Sequence, residues 1–166
     1  VDIDASITQA LNEKGFKCIN SDLFDFLRTM PDGGCDGIFA AHVIEHLPPE
    51  KVIEFTKLAG EKIAKGGRFV LVFPNPMLIE VHRFGFWLDP THIRMYTKDL
   101  AGFLMEEAGF ELSIYPPFDV VSLDRIPAKK QQIRKIQRMF QRILGVSRAM
   151  SLFDEPFECC VAGIKK

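Results

Sequence analysis

The sequence predicts an α/β fold: an open, doubly wound sheet, mostly parallel, with an antiparallel last strand. Three observations carry that reading. Strand-like and helix-like segments alternate along most of the chain. The run Arg68-Phe69-Val70-Leu71-Val72-Phe73 is almost continuously apolar, as suits a strand buried on both faces. Polar residues collect directly after the apolar stretch Gly37–Ala41, and the carboxyl ends of strands are where open α/β sheets place ligand sites.

Taken in order, Val1 to Ile3 reads as a strand and Ser6 to Lys14 as a helix stopped by Gly15. Phe16 to Asn20 reads as a second short strand. Leu23 to Met30 forms one or two helical turns, ended by Pro31-Asp32-Gly33-Gly34. After the strand Gly37 to Ala41, a helix over Pro49 to Lys65 carries Val52, Ile53, Phe55, Ala59 and Ile63 near helical period, with Gly66-Gly67 as its stop. The strand Arg68 to Phe73 follows. A long loop, Pro74 to Tyr96, comes next; loops of that length in a compact domain are usually functional. Thr97 caps a helix running to Gly109. Phe110 to Tyr115 and Phe157 to Ile164 make two last strands, paired antiparallel. Between them, 116–156 is a helical insertion, in which Ala128 to Leu144 is amphipathic and basic residues run from Lys129 to Arg148 without an acidic one.

At 166 residues the chain is expected to be a single domain, 1–166, with a real core. A hydrophobic share of 47% and a formal net charge of -1 argue against a global nucleic-acid or membrane surface. No apolar run approaches the roughly 18 residues of a membrane span. Cys18, Cys35, Cys159 and Cys160 lack Cys-x-x-Cys spacing and read as reduced thiols of a cytoplasmic protein. The helix from Lys129 to Arg142 is most simply a solvated face; its alternative is a peripheral surface for phosphate or lipid. The chain opens Val1-Asp2-Ile3-Asp4, like the tail of a strand in progress, so a fragment lacking its amino-terminal part is expected.

Three of the four histidines fall into one pattern, His42-Val43-Ile44-Glu45-His46 and, later, Asp89-Pro90-Thr91-His92. Positions i, i+3 and i+4 share one face of a helix. Three imidazoles and a carboxylate at His42, Glu45, His46 and His92 suit zinc, manganese or ferrous iron better than magnesium. The plainer alternative is a hydrogen-bonding pair, Glu45-His46, with His92 anchoring the loop. Asp2 and Asp4 both stand where a helix begins. Asp4 suits the cap, and Asp2, at a strand end, suits a ligand role. Asp22 reads either as a turn residue or as a ligand.

These segments together resemble a class I S-adenosylmethionine-dependent methyltransferase, from the second strand of that family to its last. Val1-Asp2-Ile3-Asp4 resembles the family's acidic strand end, Ser21-Asp22-Leu23 its adenine-side motif, and Phe39-Ala40-Ala41-His42-Val43-Ile44-Glu45-His46-Leu47-Pro48-Pro49 the segment after its fourth strand. The loop Trp87-Leu88-Asp89-Pro90-Thr91-His92-Ile93-Arg94-Met95-Tyr96 is similar to methyltransferases associated with surface-glycan synthesis, including those that cap O-antigen chains. The resemblance implies a Rossmann-like sheet and S-adenosylmethionine as cofactor. It implies that Asp2 binds the ribose hydroxyls and Asp22 the adenine amino group. Leu23 would offer its backbone N–H to the ring, and Ala40 and Ala41 would line the methionine part. The family's first, central strand and its Gly-rich turn are missing from this chain, so part of the cofactor site is expected to be missing too. The histidine pattern also resembles the Glu-x-x-Glu-His…His metal site of small-RNA 2′-O-methyltransferases, with His42 in place of the first glutamate.

The expected activity is methyl transfer to oxygen, on a sugar hydroxyl or sugar phosphate of a glycan acceptor, with His42 or His92 as base for a hydroxyl. A small-molecule, quinone-type O-methyltransferase and a metal-assisted RNA methyltransferase are the rivals within the enzyme class. RNA is less favoured, because no basic stripe with interleaved aromatics appears outside one helix. A non-catalytic binding module is the rival from another class.

Overall fold

The computed structural model describes residues 1–113 and 158–166. Their elements are α1 (Ala5–Glu13), α2 (Leu23–Thr29), β1 (Cys35–Ala41), α3 (Pro49–Lys62), β2 (Ile63–Pro74), α4 (Lys98–Glu107), β3 (Phe110–Ser113) and β4 (Glu158–Lys165). The strands form one sheet in the order β1-β2-β4-β3. β1 and β2 run parallel, and β4 is antiparallel to both β2 and β3. Three strands therefore share one direction and the last opposes them, as the sequence predicts. The expected insertion 116–156 and the basic helix from Lys129 to Arg142 lie outside the described residues. No helix among the described residues is long and apolar enough to cross a membrane.

The core forms where α2, α3 and α4 cover one face of the sheet. Alternate β2 residues Phe69, Leu71 and Phe73 point to that face, which is the period-2 consequence of a pleated strand. They meet Phe24 and Leu27 of α2, Val52, Phe55 and Ala59 of α3, and Ala101 and Met105 of α4. Phe69 packs edge-on against Phe55 at 5.5 Å between centroids and tilts against Phe110 at 5.4 Å. Such aromatic pairs add about 0.5–1.5 kcal/mol beyond the area they bury. α3 approaches the end of α4 so closely that a Cβ on Gly60 would lie 2.4 Å from the Ala108 carbonyl oxygen. Only glycine fits there.

Helix ends follow the sequence. Asp4 caps α1 by accepting from the Ser6 and Ile7 backbone N–H groups at 2.7 and 3.2 Å. Thr97 caps α4 through the Leu100 N–H. Gly15 and Gly109, each at φ +86, follow α1 and α4 in the left-handed conformation that closes a helix.

Three expectations need correction. Val1–Ile3 and Phe16–Asn20 are not strands of the sheet; they meet in one parallel bridge, Asp2 to Asn20. The Asn12 side chain holds the Cys18 backbone at both N–H and C=O, which fixes that segment against α1 instead. The helix over Pro49–Lys65 ends at Lys62, and the chain passes directly into β2, with Gly66 at φ +81 inside the strand. Finally, His42 to His46 is no helical face. Only Ile44–His46 forms a single tight turn, and His42 precedes it at φ 53. Pro48 and Pro49 explain this: the residue before a proline is driven out of the helical region, and Leu47 and Pro48 are indeed extended at ψ 141 and 147.

Candidate active site

Parallel strands β1 and β2 end side by side at Ala41 and Pro74. Because β4 is antiparallel, its first residue, Glu158, pairs with Pro74 at the same edge. His42 follows Ala41 there. Its backbone N–H still bonds the Val72 carbonyl at 2.9 Å, and its left-handed φ then turns the chain away from the sheet. A non-glycine residue in that region is uncommon and persists only when its surroundings impose it.

Two carboxylates flank the His42 ring. Nδ1 lies 3.1 Å from Glu45 Oε1, and Nε2 lies 2.8 Å from Glu158 Oε1. The two acids differ in setting. Glu45 is 1% exposed, whereas the Glu158 side chain is 33% exposed. The other Glu45 oxygen, Oε2, is buried and has no hydrogen-bond partner among the described residues. An orphaned buried carboxylate oxygen is costly, so its retention calls for a reason.

The loop after β2 brings His92 to the same place. Ile93 and Arg94 donate their backbone N–H groups to the Glu45 carbonyl, at 2.7 and 3.3 Å. His92 stacks on Phe86 with centroids 4.4 Å apart, and the His46 ring lies 4.5 Å from that of His92. His92 Nδ1 is 2.6 Å from the Phe86 carbonyl oxygen. His46 Nδ1 is 2.8 Å from Thr91 Oγ1, whose hydroxyl donates to Asp89 Oδ1 at 2.6 Å. The Thr91 hydroxyl and then its backbone N–H hold the Asp89 carboxyl below the usual carboxylate range, and the nearby imidazoles act in the same direction.

One ligand atom from each of Glu45, His46 and His92 lies within 4.8 Å of the others. Three of the four residues predicted as metal ligands thus converge. His42 does not join them, because both its ring nitrogens face carboxylates and the left-handed turn sets it apart from the Ile44–His46 turn.

The residues expected to hold the cofactor lie at neighbouring chain ends. Ser21 donates its N–H to the Asp2 carbonyl at 3.1 Å, so the Asp2 and Asp22 segments sit together. Asp2 Oδ1 accepts from the Asp4 N–H, and Asp22 Oδ1 caps α2 by accepting from Phe24 and Asp25. The second oxygen of each carboxylate has no protein partner among the described residues. Leu23 opens α2, Ala40 is buried and Ala41 exposed at the end of β1. Two carboxylates with free oxygens and two small residues at strand ends fit the hydroxyls, amine and narrow chain of S-adenosylmethionine. The outer edge of β1 has no strand partner among the described residues, and Phe39 there is 70% exposed.

Sequence reasoning missed Glu158 and the Asp89–Thr91 pair. Glu158 was findable: an antiparallel last strand must begin at the edge where its parallel neighbours end. The Thr91 contact depends on loop conformation and leaves no periodic signal.

An open α/β sheet with acids, histidines and small residues gathered at the carboxyl ends of its parallel strands is the arrangement of a Rossmann-like enzyme. The chain belongs to the methyltransferase-domain family, whose model matches residues 4–113. Its fold is similar to that of a SAM-dependent methyltransferase from Archaeoglobus fulgidus, at 24% identity and a TM-score of 0.72, over 99% of this chain and 74% of that one. It is also similar to an S-adenosylmethionine-dependent methyltransferase from Mesorhizobium loti (12%, 0.61, over 99% and 78% of the two chains). A third neighbour is a Thermotoga maritima SAM-dependent methyltransferase, described as a possible histamine N-methyltransferase (12%, 0.63, over 98% and 70%). The search of curated proteins gave no match. The chain is thus a methyltransferase domain on a Rossmann-like sheet.

Proposed function

We propose that the protein methylates an oxygen of a glycan acceptor, a sugar hydroxyl or a sugar phosphate, with His42 as the base for a hydroxyl. The observation that carries this is the Glu45–His42 pair. A buried carboxylate accepts from Nδ1 and orients a ring whose side chain is 47% exposed at the sheet's ligand edge. Nε2 faces the Glu158 carboxylate, which accepts a hydrogen bond from it, so Nε2 becomes the base once its proton has passed to Glu158 or solvent and Glu158 has moved aside. A base oriented by a second group is the recurring logic of activated hydroxyls. The likeness of the Trp87–Tyr96 loop to those of surface-glycan methyltransferases, including O-antigen-capping ones, supports the acceptor class.

S-adenosylmethionine supplies a methyl group on a sulfonium, already electrophilic. Much of the acceleration therefore comes from holding donor and acceptor in line. Asp2 would accept from the ribose hydroxyls and Asp22 from the adenine amine, while Ala40 and Ala41 leave room beside the methionine chain. A hydroxyl acceptor would take the methyl group as the donor's S–CH3 bond breaks, leaving S-adenosylhomocysteine, and its proton would pass to the unprotonated Nε2 of His42. Glu45 steadies the resulting imidazolium, and Glu158 or solvent takes the proton on. A phosphate oxygen is ionised at neutral pH and needs no base.

The test is incubation with S-adenosylmethionine and two acceptor sets, oligosaccharides ending in a free hydroxyl and the same oligosaccharides ending in a phosphate. Formation of S-adenosylhomocysteine and a methylated sugar from either set supports the reading. Turnover only with amines or carbon nucleophiles sinks it.

A further inference from the structure

We infer that Glu45, His46 and His92 form a binding site for a zinc-class divalent cation, distinct from His42 and fixed in advance by the hydrogen bonds behind each imidazole.

Proton placement carries the case. A carbonyl oxygen can only accept, so the 2.6 Å contact of His92 with the Phe86 carbonyl puts the proton on Nδ1. The Thr91 hydroxyl has one proton and gives it to Asp89, so Thr91 Oγ1 accepts from His46, and His46 too is protonated at Nδ1. In the neutral form both rings then present Nε2 as a bare lone pair. Metal-bound histidines are commonly held this way, by a carbonyl or carboxylate behind the opposite nitrogen. Stacking on Phe86 further fixes the His92 plane.

Glu45 supplies the independent observation. It is 1% exposed, Oε1 is taken by His42, and Oε2 is buried without a partner among the described residues. Two lone-pair nitrogens and an unsatisfied carboxylate oxygen offer acceptors and no donor, which only a cation or a proton donor can satisfy. One ligand-capable atom of each of the three residues lies within 4.8 Å of the others. A tetrahedral zinc site needs roughly 3.3 Å between ligands, given bonds of about 2.0–2.2 Å. Small side-chain rotations close that gap.

Two imidazoles and one carboxylate make a three-ligand set that leaves at least one position open, as catalytic rather than closed structural sites do. Magnesium prefers an all-oxygen shell and is a poor fit. Glu45 would then bridge the two halves of the site, Oε1 on His42 and Oε2 on the cation. The inference needs neither methyl donor nor acceptor, so it stands or falls apart from the proposed reaction.

Chelator-treated protein is titrated with zinc chloride by calorimetry, and bound metal is counted after gel filtration. One equivalent is expected for the wild type, with affinity at least tenfold weaker in Glu45→Gln, His46→Ala and His92→Ala. His42→Ala and His82→Ala should retain it, and millimolar magnesium should not displace it. Thr91→Val, which removes the group behind His46, should weaken zinc by about 10–100-fold. Should a ligand variant fail to fold, imidazole nitrogen NMR of the wild type decides: zinc must shift Nε2 of His46 and His92 and leave His82 unmoved. Absence of stoichiometric zinc, wild-type affinity in both His46→Ala and His92→Ala, displacement by magnesium, or unmoved Nε2 signals would each overturn the site.

Discussion

Glu45 is the residue on which the site turns. Its backbone carbonyl receives Ile93 and Arg94, which fastens the Trp87–Tyr96 loop, and its carboxylate holds His42. Glu45→Gln keeps the shape but offers Nδ1 a weaker partner, so turnover should fall while the loop stays docked. Steady-state rates beside hydrogen exchange at Ile93 and Arg94 separate these effects; unchanged turnover would remove Glu45 from the reaction. Asp2 makes a second residue-scale test. Asp2→Ala should weaken S-adenosylhomocysteine binding by about 1–3 kcal/mol through lost ribose hydrogen bonds. Equal calorimetric affinities of mutant and wild type would take Asp2 out of the cofactor site. The histidines were legible in the sequence as a set, but their division was not. Spacing alone cannot show that Pro48 and Pro49 cut the helix short, or that His42 turns left-handed and pairs with Glu158, 116 residues away.

At the scale of elements, the contact of α3 with α4 is the tightest feature of the core. Gly60→Ala must push a methyl group into the Ala108 carbonyl, and overpacking of this kind costs about 1–3 kcal/mol. Urea denaturation should show a lowered midpoint with an unchanged slope. A midpoint equal to the wild type would mean that the helices separate freely. Elements with strong local signals were readable from sequence: α1, α2, α4 and the four strands of the sheet all occur near their expected positions. The short segments at Val1–Ile3 and Phe16–Asn20 have strand-like residues yet gain only one bridge. A strand needs a neighbour to satisfy its ladder, and composition does not reveal whether one is present.

For the whole molecule, pH offers a check on the packing. Burial pushes the Tyr96 phenol and the Cys160 thiol above their ordinary values, with Arg94 and Lys98 respectively opposing the shift. Below the ordinary thiol and phenol range both groups are protonated in folded and unfolded chains, and stability is undiminished. As pH rises through that range the unfolded chain loses these protons first. Stability should therefore fall, and go on falling until the raised folded-state values are passed. Melting temperatures at stepwise alkaline pH should decline in the wild type and decline less in Tyr96→Phe. An identical decline in the two would show that Tyr96 is not desolvated. The sheet order and the gathering of polar residues at one edge follow from the same topology that buries Phe69, Leu71 and Phe73, so fold and site are set by one arrangement of strands.

The base assignment can be tested on that arrangement by comparing turnover of His42→Ala with hydroxyl and phosphate acceptors, each against wild type. A base held by Glu45 predicts a loss of about 10²–10⁴-fold in kcat for a hydroxyl and little change for a phosphate. Wild-type turnover of a hydroxyl acceptor by His42→Ala would contradict it.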